Sequence, residues 1–184
     1  MVIINARNII NRHKQNRKVD EKLMIKSGGS FFYNGKRCTI GAVISLKGLP
    51  HMVTVSHIFR GEGDHLTVDG MKLVVTRILK DYDLALIELP PGTAVEMTEF
   101  GSATVLEEAF LVNDTHTVRL RVVNAGISLL FLSFQFSDMP KPGDSGSPIL
   151  QAGKVIGLMS SITMNNCTVT AISTAQFSSL FDST

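Results

Sequence analysis

From Phe31 onward, apolar residues come in short runs, some alternating with polar residues and some continuous, bounded by Gly, Pro, Asn or Asp. Such runs occupy residues 39–46 (TIGAVISL), 51–58 (HMVTVSHI), 65–70 (HLTVDG), 71–79 (MKLVVTRIL) and 84–89 (LALIEL). After a PPG break at 90–92 they resume at 117–126, 129–136, 147–151, 154–162 and 168–174. Runs of strand length at this spacing predict an all-β sandwich or barrel. VDGM and QAGK read as hairpin turns. Two segments depart from the pattern. Ile3, Ala6, Ile9 and Ile10 fall at near-helical spacing with Arg and Lys between them, which predicts a short amphipathic helix within 2–18 that SGGS at 27–30 breaks off. TAQFSSLF, residues 174–181, predicts a short terminal helix. The PPG break suggests the simplest partition: a basic extension at 1–29, one β lobe at 30–92 and a second at 93–184. A cleft between the lobes is then the expected place for a site.

Composition narrows the class. Of 184 residues, 44 % are hydrophobic, which suits a globular chain with a proper core. No apolar run approaches the ~18 residues of a membrane span, and the N-terminus lacks the order of a signal peptide. Cys38 and Cys167 stand apart from each other and from any ligand-like cluster, so they read as free thiols and no metal site or cofactor is expected. Absence of a disulfide framework points to a reducing, cytoplasmic setting. Charge is uneven: residues 1–26 carry seven Lys/Arg against two Asp/Glu, the rest of the chain eleven against fourteen. Such an arm suits a solvated lead-in segment, or a tether to nucleic acid, a membrane surface or an acidic partner. Without aromatic residues between the charges, no obligatory nucleic-acid partner is expected.

The densest candidate chemistry is KPGDSGSPI, residues 141–149. Gly and Pro crowd Ser145, and Asp144 precedes it. A serine hydroxyl is a weak nucleophile that needs a base, an acid to orient the base, and donors for the developing oxyanion. Gly143 has no Cβ to obstruct a turn that aims its N–H, with that of Ser145, at one spot. Five histidines compete as base: His13, His51, His57, His65 and His116. His57 stands at the end of a β run before a Gly-rich loop. For the acid, Asp83 sits at the mouth of the apolar run LALIEL, where an unpartnered carboxylate is costly. Asp81 competes from one step further out.

Taken in order, TVSH (54–57), DLALIEL (83–89) and GDSGSP (143–148) resemble the three active-site blocks of the chymotrypsin-like serine peptidases, over roughly residues 30–180. That resemblance implies two six-stranded antiparallel β-barrels with the site in the cleft between them. His57 is then the general base and acid, Asp83 its orienting carboxylate and Ser145 the nucleophile. Gly143 and Ser145 form the oxyanion hole, and the segment Ser160, Ser161 and Ile162 pairs with substrate backbone. The implied partner is a protein or peptide, cleaved through an acyl-enzyme.

Departures from the family pattern sharpen the expectations. Intervals of 26 residues from His57 to Asp83 and 62 from Asp83 to Ser145 resemble the compact bacterial and viral members. Ser147 in GDSGSP resembles arterivirus main proteases and bacterial glutamyl endopeptidases. The histidine such relatives often carry after the next strand's Gly is missing from GLMSSI, residues 157–162, so glutamate preference is not expected. Counting back six residues from Ser145 places Met139 at the base of the specificity pocket with Ile162 at its wall, which favours a small or aliphatic guest. A one-residue shift would put Asp138 there and favour Lys or Arg. No IVGG-type start is present, so Asp144 should find a partner other than a newly cut N-terminus. Two readings compete with the peptidase: a catalytically silent peptide-binding scaffold on the same fold, and a module acting through the basic arm.

Overall fold

Four two-residue loops set much of the strand register. Asn34-Gly35, Lys47-Gly48, Asp69-Gly70 and Ala152-Gly153 all have positive φ at both positions, the type I′ geometry whose twist matches that of a β-hairpin. The computed structural model describes residues 24–181. The amphipathic stretch at 2–18, His13 and all but the end of the basic arm lie outside the described residues.

The first lobe contains β1 (Ser30–Tyr33), β2 (Lys36–Thr39), β3 (Ala42–Leu46), β4 (Leu49–Val55), β5 (His65–Val68), β6 (Met71–Val74), β7 (Arg77–Leu79) and β8 (Leu84–Glu88). These form two antiparallel sheets, β2-β1-β5-β6 and β3-β4-β8-β7, wrapped round one core. Phe31, Leu66, Val68 and Leu73 enter that core from one sheet, and Val43, Met52, Ala85 and Ile87 from the other. The second lobe contains β9 (Glu108–Val112), β10 (Thr117–Ala125), β11 (Leu129–Phe134), β12 (Pro148–Gln151), β13 (Lys154–Thr163) and β14 (Thr168–Ser173), closed as a six-stranded barrel in the order β10-β11-β14-β13-β12-β9. Its β10 alternates outward Arg119 and Arg121 with buried Val118, Leu120 and Val122, the period-2 pattern of a strand wet on one face.

Why LALIEL is continuously apolar is now evident. Ala85 and Ile87 point into the first-lobe core. Leu84 and Leu86 point the other way, into a second cluster shared with Val155, Leu158 and Ile172 of the barrel. This cluster joins the lobes. The terminal helix α1 (Phe177–Phe181), preceded by a 3₁₀ turn at Thr174–Gln176, adds Phe177 and Phe181 to it. Phe177 meets Phe100 and Phe181 edge-on at 5.4 and 5.2 Å. The connecting segment is stitched to both lobes, with Thr98 N–H donating to Val43 O and Gly101 N–H to Val155 O.

Three details differ from the sequence pattern. Residues 71–79 look like one strand but split into β6 and β7, because the chain changes sheets there: Val75 N–H donates to Asp64 O, and Thr76 N–H to Leu86 O. The run at 39–46 breaks at Ile40-Gly41. A Cβ on Gly41 would lie 2.8 Å from Gly146 O and 2.6 Å from a Leu158 methyl, so this is where the first lobe presses on the second. Strands β1, β2 and β9 are only four or five residues long and fall almost entirely outside the runs picked out by the sequence pattern. Cys38 and Cys167 are free thiols, as expected. Among the described residues no helix is long and apolar enough to cross a membrane.

Candidate active site

Strand pairing delivers the first two groups. Val55 of β4 pairs with Leu84 of β8, so the chain leaving β4 runs beside the chain entering β8. His57 lies in the 3₁₀ turn Ser56–Ile58 after β4. Asp83 ends the turn Lys80–Tyr82 in the left-handed conformation, φ 52°, which Asp tolerates better than most residues. Asp83 then takes four donors. Oδ2 accepts from His57 Nδ1–H at 2.8 Å and from the Ser160 hydroxyl at 2.7 Å. Oδ1 accepts from His57 backbone N–H at 2.9 Å and from the Ser56 hydroxyl at 3.0 Å. A carboxylate only accepts, so Nδ1 carries the imidazole proton and Nε2 is the ring's basic nitrogen. Burial of Asp83 opposes its ionisation, but the bonds from His57 and Ser160 outweigh that and hold the carboxyl below its ordinary range. The hydrogen bond to Asp83 raises His57 above its ordinary value, against partial burial.

Two successive turns build the third part. Asp144 N–H donates to Lys141 O at 3.1 Å and Ser147 N–H to Asp144 O at 2.9 Å. Each turn has Gly with positive φ at its third position, Gly143 at 96° and Gly146 at 87°, the type II signature, with Pro142 pre-set at the second position of the first. Turn geometry leaves the inner N–H groups without ladder partners. Among the described residues the N–H groups of Gly143 and Ser145 have no protein acceptor, as an anion-binding pair of amides requires. Gly146 is fixed by space as well as by φ: a Cβ there would lie 2.4 Å from Thr54 Oγ1. Its N–H donates to Met159 O at 2.7 Å. Ser145 is therefore held where β4, three residues before His57, meets β13, one residue before Ser160. Its hydroxyl makes no hydrogen bond among the described residues, nor does His57 Nε2.

A buried network underlies these turns. Asp144 is 3 % exposed. It accepts from His116 Nε2 at 2.9 Å, Asn113 Nδ2 at 3.1 Å and Lys141 N–H at 2.7 Å. Asn113 also donates to the Ser147 hydroxyl at 3.0 Å, while its Oδ1 accepts from the Thr115 and His116 backbone amides. So the acid before the serine has a partner other than a chain terminus, and Ser147 supplies a hydroxyl that a glycine would lack. Along the chain neither Asn113 nor this role of His116 stands out; the local signal is the turn-forming NDTH, residues 113–116. Of the other described histidines, His51 is buried with Nδ1 on Leu49 O, and His65 is exposed.

On the other flank, β13 carries a bulge between Met159 and Ser161. A bulge re-aims side chains, and here Ser160 turns to Asp83 rather than outward. Residues 161–163 pair with β14 on one edge, while β12 covers β13 only from Lys154 to Leu158. The other edge of Ser161–Thr163 thus has no strand beside it among the described residues. Met139 and Ile162 both pack against the barrel core. The Asp138 carboxylate accepts from Arg119 backbone N–H at 3.0 Å.

No family model matches this sequence, and no curated protein does either. Solved structures do. A Nocardiopsis protease matches at TM-score 0.71 and 16 % identity, covering 87 % of this chain and 97 % of its own. A glutamic acid specific serine protease with a histidine triad in substrate binding matches at 0.69 and 13 %, covering 86 % and 98 %. The chymotrypsin of Cellulomonas bogoriensis matches at 0.66 and 16 %, covering 87 % and 97 %. With its closed six-stranded barrel and the paired sheets before it, this chain has the fold of the chymotrypsin-like serine proteases.

Proposed function

We propose that this protein is a serine endopeptidase in which Ser145 attacks the scissile carbonyl and His57 Nε2 takes the serine proton. Negative charge forming on the carbonyl oxygen meets the N–H groups of Gly143 and Ser145. When the C–N bond breaks, His57 returns the proton to the leaving amine. His57 next deprotonates water, which attacks the acyl ester and restores the serine. Asp83 keeps the imidazole in the right tautomer and stabilises its charged form. The observation that carries this reading is the saturation of Asp83 by four donors. It fixes the tautomer and leaves Nε2 as the ring's basic nitrogen, while the turn that carries Ser145 packs at Gly146 against Thr54, three residues before His57, and leaves the Gly143 and Ser145 amides unpartnered among the described residues.

Substrate backbone adds to the open edge of Ser161–Thr163, a β-augmentation mode. Met139 and Ile162, both packed against the barrel core, supply apolar walls for a small or aliphatic side chain. The missing histidine in 157–162 argues against glutamate. Reaction with a fluorophosphonate, located by mass spectrometry, tests the chemistry. Wild-type protein should label at Ser145, and His57→Ala should abolish labelling while the fold survives. A folded wild type that stays unlabelled would favour the peptide-binding scaffold.

A further inference from the structure

A cavity of about 260 Å³ is lined by Gly143 and its neighbours in the serine turn and by no residue of β13. Its walls include Arg37 and Thr39 of β2, Lys141 of the serine turn, and His116. Resting on the peptidase reading, we infer that this cavity binds an acidic side chain on the leaving-group side of the substrate's scissile bond.

Placement comes first. Gly146 is wedged between Met159 of β13 and the Thr39–Thr54 contact of the first lobe. With a substrate carbonyl oxygen on the Gly143 and Ser145 amides and the acyl half along Ser161–Thr163, the inference runs the amine half past Gly143 into the cavity that Gly143 shares with Thr39 and Arg37. Charge comes second. Among the described residues neither Arg37 nor Lys141 is in an ion pair. Arg37 lies 5.8 Å above the Phe32 ring, a contact that holds a guanidinium in place without neutralising it. The one acid in the wall, Asp144, is buried and occupied by His116, Asn113 and Lys141 N–H. Asp114 on the rim accepts the Ser30 hydroxyl at 2.9 Å and offsets one of the two cations. What remains is a net positive wall with two exposed cationic side chains that no protein carboxylate pairs, which favours a carboxylate by complementarity.

Three peptides sharing one acyl half and carrying Glu, Gln or Lys at each of the first three leaving-group positions test this. For wild type, the Glu peptide should exceed the Gln peptide in kcat/KM by about tenfold at one position, and the Lys peptide should fall below both. In Arg37→Glu and Lys141→Glu the ratio within each variant should fall toward one, and the double reversal should invert it. Binding of the same peptides to Ser145→Ala, by fluorescence anisotropy, reads the cavity without turnover and should show the same order. Equal cleavage and equal binding of the three peptides would overturn the inference alone. Selective binding with no cleavage would leave it standing and sink the peptidase reading. A ratio that neither reversal moves would assign the selectivity elsewhere and overturn it too.

Discussion

His57 and His116 each stand within hydrogen-bond reach of a carboxylate, at 2.8 and 2.9 Å, one pair in each lobe, and they do opposite things. In the first pair the histidine is the more open member, its side chain 45 % exposed, and one ring nitrogen is left over. In the second the carboxylate is the buried member, 4 % exposed, and both ring nitrogens are taken, Nε2 by Asp144 and Nδ1 by Thr115 Oγ1 at 2.8 Å. An imidazole with a spare basic nitrogen at a cleft suits proton transfer. An imidazole with none suits holding a loop. Proximity of His to Asp is therefore no guide to chemistry until the second nitrogen and the exposure of each partner are known.

Breaking the first pair's target should give the largest effect. Ser145→Ala should lower kcat for peptide hydrolysis by roughly a millionfold with an unchanged thermal midpoint. Asp83→Asn follows: losing the tautomer control should lower kcat by about 10⁴-fold. It also carries a pH signature. The base must be neutral, so activity is lost as pH falls through the His57 pKa, and the bond to Asp83 places that limb above the ordinary value of about 6.5. Asp83→Asn should move it down, as a kcat/KM profile would reveal. The pair's contribution to folding has its own window. The Asp83 part is lost as pH falls below the ordinary carboxyl range of about 3.9, and the His57 part as pH rises past about 6.5.

Breaking the second pair should act on geometry instead. His116→Ala leaves Asp144 short of one donor, a deficit of about 2 kcal/mol at a buried group, which should loosen the turn that presents the Gly143 amide. We expect kcat to fall about 10–100-fold at nearly constant KM, with partial rescue by His116→Gln, which keeps a donor. A variant that loses stability but retains kcat would confine His116 to scaffolding. Ser160→Ala should be the mildest, about tenfold in kcat, because Asp83 keeps three of four donors and a hydrogen bond to an ionised carboxylate contributes about 1.5 kcal/mol.

Much of this was legible along the chain. GDSGSP, TVSH and DLALIEL stand out because each combines a reactive residue with strong local rules: glycines that permit positive φ, a strand end, an apolar run with an acid at its mouth. The two hairpins read from VDGM and QAGK and the closing helix follow from the same local chemistry. What escaped was non-local. Asp144 finds Asn113 and His116 on a hairpin about thirty residues upstream, and nothing in NDTH says which carboxylate it will meet. Ser160 reads as part of a segment that pairs with substrate backbone, and nothing local shows the bulge that aims its side chain at Asp83. The run at 71–79 reads as one strand and still crosses from one sheet to another.

By itself, then, the sequence determined most of the β elements and the turns that bend the chain round Ser145, because hydrophobic patterning and glycine φ are properties of neighbouring residues. Only the tertiary structure decided which histidine keeps a free nitrogen and which buried acid is locked, because those depend on donors that converge from both lobes and on how much water each pair keeps.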